Sequence, residues 1–72
     1  MLRDKKTQEK IRPFSKMLKE MREHLGLTQR KMSDELGVVE RTVRAIENLE
    51  AFPTPETQEK INKKYKEVFG YF

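Results

Sequence analysis

Between Gln29 and Asn48 the chain reads QRKMSDELGVVERTVRAIEN, and the spacing of its apolar and small residues leaves few folds open. Met32 and Leu36 stand one helical turn apart and so share a face. Ser33 puts a small side chain where a second helix must come close. Gly37, directly after Leu36, accepts at little steric cost the positive φ that ends a helix. Val43 and Ile46, three apart, give a following helix its own buried stripe, with Val38 leading into it. Two short helices crossing at a tight turn, a helix-turn-helix, meet all of these requirements together.

The flanks carry the same period. Ile11, Phe14, Leu18, Met21 and Leu25 recur at three- and four-residue steps, which predicts a helix. Pro13 suits its first turn, where a missing N–H is harmless, and Gly26 ends it. Thr28 is placed to cap the next helix, which runs to Leu36. A third helix is expected from about Glu40 to Asn48, then a loop over Leu49 to Pro55. In a last helix Ile61, Tyr65, Val68, Phe69 and Phe72 share a face. Met17, Met21 and Met32 read as core filler. No segment reads as a strand. The expected fold is all-α, a compact bundle of four to five helices around the helix-turn-helix.

Seventy-two residues suggest one domain with a small core. The chain has no cysteine, which removes disulfides and thiolate chemistry and fits a reducing, cytoplasmic setting. No apolar run approaches the ~18 residues of a membrane span, and residues 1–12 lack the apolar stretch of a signal peptide. His24 is the single histidine and has no companion ligands, so no metal site is expected. With no phosphate loop, nucleophile–base pair or convergent carboxylates, neither a cofactor nor catalysis is expected. Residues 1–12 hold five Lys/Arg against two Asp/Glu, whereas residues 13–55 hold seven of each. That asymmetry divides the chain into a basic N-terminal arm, 1–12, and a helical domain, 13–72, with the motif at 28–48. The arm is either a solvated terminus or a segment that tracks phosphates.

A helix-turn-helix presents the exposed face of its second helix to a DNA major groove. Arg30 and Lys31 stand in the first turn of the preceding helix, where the macrodipole favours acids. A bound phosphate reconciles the two; the alternative is two solvated cations that cost tenths of a kcal/mol. On the third helix the outward residues are Val39, Glu40, Arg41, Thr42, Arg44 and Ala45. Arg41 can bond a guanine bidentately, Glu40 can accept from a cytosine amino group, and Val39 can pack on a thymine methyl. Arg44 can reach a base or a phosphate. The competing reading is an exposed face with a Glu40–Arg44 pair worth a few tenths of a kcal/mol.

On Leu25-Gly26-Leu27-Thr28-Gln29, the Gly37-Val38 turn, Ile46-Glu47-Asn48 and Pro53-Thr54-x-Glu56-Thr57, the chain resembles the phage-lambda-repressor-like DNA-binding domains, the XRE or Cro/repressor class. The resemblance covers roughly residues 14–65. It implies a sequence-specific transcriptional regulator, a repressor more often than an activator, that binds double-stranded DNA as a dimer. It further implies that Gln29 touches the DNA backbone and braces the recognition helix, that Arg22 and Glu47 form an ion pair, and that Asn48 lies near a phosphate or else caps its helix. Three positions depart from the family. Val39 stands where Ser or Thr is common, Leu49 and Glu50 stand where glycine and a basic residue are common, and the last helix is unusually charged, with Asn62 and Lys64. Phe69, Tyr71 and Phe72 either fold onto the core or form a homodimer contact. A chain of this size also fits an antitoxin, or a protein-interaction module on the same fold, with Glu40, Glu47 and Glu50 near the presumed DNA face. Either would bring a regulatory protein partner.

Overall fold

Asp4 starts the first helix earlier than the proline suggests. In the computed structural model, which describes residues 4–70, the Asp4 carboxylate accepts the Lys6 amide at 3.0 Å and the Thr7 hydroxyl at 3.2 Å. Helix α1 then runs Lys5–Leu25 with Pro13 inside it. The expected start at Pro13 is therefore corrected: from Lys5 onward, the segment read as an arm is the first two turns of a helix. An interior proline costs about 3 kcal/mol in a lost hydrogen bond and a ring clash. Here Pro13 and Glu9, whose carbonyl loses its usual i+4 donor, are both exposed residues, where solvent access lessens that cost. Against the cost stand Ile11, fully buried, and Phe14, whose ring meets Phe52 edge-on at 5.8 Å. Burying one such side chain contributes about 1.5–3 kcal/mol, enough with its neighbours to carry the helix through the proline.

Gly26 closes α1 in the left-handed region (φ 69°), and the Leu27 amide returns to the Arg22 carbonyl at 2.8 Å. Leu25, expected on the buried stripe, is 42% exposed. Leu27, beyond the turn, packs on the core in its place. Helix α2, Gln29–Leu36, begins at Thr28, whose hydroxyl accepts the Lys31 amide at 3.1 Å, as its sequence position predicts. Gly37 (φ 77°) ends it, with the amides of Gly37 and Val38 both bonded to the Ser33 carbonyl.

Helix α3, Glu40–Glu47, starts at Val39 without any side-chain cap. Asn48 is its C-cap rather than its last residue. Leu49 follows at φ 61°, the one non-glycine with positive φ among the described residues. The left-handed region suits glycine, and the leucine holds that backbone against its own Cβ. Helix α4, Pro55–Phe69, has Thr54 as N-cap and a proline in its first turn.

The four helices enclose one core of Ile11, Leu18, Met21, Met32, Leu36, Val43, Ile46 and Ile61. Every expected stripe contributes to it. No strand occurs among the described residues, so the chain is an all-α, four-helix domain. Polar ties help hold α4 in place. Tyr65 donates from its hydroxyl to Glu20 at 3.2 Å, and Lys64 meets Glu35 at 2.8 Å. Among the described residues no helix is long and apolar enough to cross a membrane.

Candidate nucleic-acid interface

The first turn of α2 carries no acidic residue. Arg30 and Lys31 are exposed there, and their side chains form no hydrogen bond or ion pair within the described residues. Two cations therefore sit at the positive end of a helix dipole with nothing to neutralise them. The free amides and the dipole of such a turn favour an anion.

The outward face of α3 lies beside that turn. Val39 is 67% exposed, and Arg41 is exposed and unpaired among the described residues. Asn48 is exposed at the far end. Glu40 is half-buried; its carboxylate takes Arg44 Nη2 at 2.8 Å, closing the i,i+4 pair expected from sequence. Thr42, half-buried, and Ala45 line a shallow groove with Ile46, Phe52 and Pro53. The outward face divides into a paired edge, Glu40 and Arg44, and an open edge led by Arg41.

What joins the two helices is a polar chain through the core. Arg22 Nε and Nη2 bond the two Glu47 carboxylate oxygens at 2.8 and 2.9 Å. Arg22 Nη1 also donates to the Leu27 carbonyl at 3.2 Å. The hydrogen bond to Glu47 raises the guanidinium above its ordinary pKa, with burial opposing and Glu47's charge adding to the rise. Glu47 is 4% exposed, so it belongs to the interior and not to the acidic surface the sequence suggested. Its Oε1 also accepts from Gln29 Nε2 at 3.2 Å, which leaves Gln29 Oε1 turned outward to a long 3.5 Å contact from Arg44 Nε. The Glu47 backbone carbonyl takes the buried Ser15 hydroxyl at 2.9 Å. A single glutamate thus fixes helix α1, the start of α2 and the face of α3 relative to one another.

Of the residues singled out in sequence, Gln29, Glu40 and Arg44 are brought into contact, and Val39, Arg41, Asn48, Arg30 and Lys31 stand exposed around them. Two contributions escaped sequence reasoning. Ser15 has no visible signal beyond being small on an apolar stripe. Lys60, on α4, donates to the Gly37 carbonyl at 3.2 Å and braces the turn from outside. Phe69 is half-buried and packs on the core, its ring 4.7 Å from Tyr65 and 5.0 Å from His24. Much of its surface is therefore committed within the chain. Tyr71 and Phe72, invoked for the same dimer contact, lie outside the described residues. Among the described residues no group of His, Cys, Asp or Glu is placed to hold a metal ion.

In comparison with known families, a family model described as a helix-turn-helix domain fits residues 15–71. No curated protein and no solved structure matches the chain.

Proposed function

Because the chain belongs to the helix-turn-helix domain family, we propose that it is a sequence-specific DNA-binding transcriptional regulator of the lambda-repressor-like, XRE type. The observation that carries this reading is the surface formed by α3 and the start of α2. Unpaired Arg41 and exposed Val39 lead a helix face narrow enough for the major groove, while Arg30 and Lys31 flank it at an anion-favouring helix end. Arg41, Val39 and Glu40 read bases; Thr42, Arg44 and Ala45 lie along the groove; Gln29, Arg30, Lys31 and Asn48 hold phosphates. Repression follows if the bound segment overlaps a promoter.

A two-fold operator calls for two copies. The partner contact proposed is the C-terminal aromatic group Phe69, Tyr71 and Phe72, of which Phe69 also packs on Tyr65 and His24. One rival reading, a protein-interaction module, draws on three acids near the presumed DNA face; an antitoxin is a second. Glu47 is internal and neutralised by Arg22, which weakens that support.

The test is fluorescence-anisotropy titration against DNA from upstream of the chain's own gene and a shuffled control, each at two salt concentrations. Selective binding that persists at the higher salt supports the regulator. Weak, equal binding that vanishes with salt leaves only general electrostatic attraction and overturns it.

A further inference from the structure

We propose that the outer face of α1 is a second phosphate-contact surface, taking the DNA backbone that flanks the segment under α3; this rests on the DNA-binding reading above. The first turns of α1, Lys5 to Phe14, lie outside the residues matched by the family model. They are nonetheless firmly set, capped by Asp4 and anchored by the buried Ile11. The charge excess of residues 1–12 therefore sits largely on a fixed helix rather than a loose arm.

Arg12, Lys16 and Lys19 follow one another at i, i+4 and i+7, a row spanning about 10 Å. With Ser15 and Leu49 they line one groove. Lys16 and Lys19 are exposed and have no anionic partner among the described residues. Arg12 has only Glu9 at 3.6 Å, with both side chains more than half exposed, a pair of little strength. Two carboxylates share the groove: Glu20 accepts from the Tyr65 hydroxyl, and Glu23 stands toward the Leu25 end. The cations prevail at the Arg12 end.

Leu49 fixes where this row points. It directly follows Asn48, the C-cap of α3, so the groove begins where the proposed base-reading helix stops. The loop there, residues 49–54, carries Glu50 and no Lys or Arg. A phosphate leaving the end of α3 meets no cation on the loop, but meets three on the facing wall of α1. Ten ångströms of duplex axis carry about six phosphate charges, so three contacts fit without distortion.

The experiment uses the full chain carrying Arg12→Gln, Lys16→Gln and Lys19→Gln together, with the wild-type target duplex and a shuffled duplex across a salt series. The dependence of log Kobs on log salt is expected to flatten by up to about 2.7, or about 0.9 for each phosphate that the row no longer neutralises. Affinity should fall equally on both duplexes, with their ratio and the circular-dichroism melt unchanged. Trimming the duplex beyond the α3 end should weaken wild type and leave the triple variant unaffected. An unchanged slope with wild type still selective overturns this proposal alone, and assigns the row to another partner such as an acidic protein. A changed ratio overturns it by making the row a base reader. Wild type binding no DNA overturns the underlying reading as well.

Discussion

Arg22 and Glu47 face each other fork to fork across the interior, at 2.8 and 2.9 Å, with the glutamate side chain only 2% exposed. Removing one partner of a buried pair strands the other charge and costs about 3–5 kcal/mol. A chain of this size has in all roughly 4–11 kcal/mol. Arg22→Ala is therefore expected to shift the urea midpoint far down or to leave the chain largely unfolded. Replacing both, as Arg22→Met with Glu47→Leu, should recover most of the stability. DNA selectivity should not recover, because Gln29 loses the acceptor that orients it. Equal midpoints for Arg22→Ala and wild type would show that the pair contributes nothing.

Val39 caps α3 with no side-chain acceptor and is 67% exposed. Val39→Ser supplies an oxygen to the free amides of the first turn and removes little buried surface. Stability should rise by about 1 kcal/mol, read as a higher melting temperature. A fall would mean that the valine packs against something its exposure does not reveal.

Leu49 holds φ 61° and also packs on the core. The left-handed backbone costs a non-glycine residue about 1–2 kcal/mol, and truncation removes the packing. Leu49→Ala loses the packing and keeps the strain, whereas Leu49→Gly loses the packing and releases it. Both should destabilise, the alanine more. A glycine variant no more stable than the alanine would place Leu49 outside the left-handed region.

The turns were legible in the sequence because their signals are local. Thr28 caps, Gly26 and Gly37 stop, and each acts through its own neighbouring amides. The core stripes were legible through their period. Pro13 misled because its local rule is strong, and only tertiary burial of Ile11 outweighs it. Leu25 obeyed the period yet ceded its place to Leu27 across a turn that periodicity does not register. In the candidate site, the outward face of α3 followed from helical spacing alone. Glu47's hold on Gln29 did not, since it depends on side chains 18 residues apart in sequence meeting in space.

Glu35 and Lys64 tie α2 to α4 at 2.8 Å. The lysine's hydrogen bond and charge hold the Glu35 carboxyl below its ordinary pKa, and Glu35 in turn raises Lys64. A depressed carboxylate pKa gives stability that is complete above the unfolded value and is lost as pH falls through the folded one. The raised lysine pKa gives stability that is complete below its unfolded value and is lost as pH rises through the folded one, in strong alkali. Wild type and Glu35→Gln should therefore differ by a constant small amount near neutrality. The difference should close in acid, below the usual carboxylate range. Parallel melting temperatures down to acid pH would remove this tie from the stability of the fold.

On the DNA-binding reading proposed above, Glu40 and Arg41 set how α3 discriminates. Glu40 holds Arg44 at 2.8 Å while Arg41 stands free, so the two arginines enter DNA from different starting states. Arg41→Ala removes a ready base contact and should cost about 1–3 kcal/mol while relaxing preference at one base position. Equal weakening on all sequences would instead make Arg41 a phosphate contact. Glu40→Gln acts the other way. It removes a negative charge facing the polyanion and releases Arg44 toward phosphate. Binding to shuffled DNA should strengthen, and the salt slope should steepen by about 0.9, one added phosphate contact. The ratio of target to shuffled affinity should fall, because what Glu40 contributes is exclusion of wrong sequences more than attraction to the right one. A Glu40→Gln variant that bound shuffled DNA no better than wild type would place Glu40 away from the DNA and confine it to its pair with Arg44.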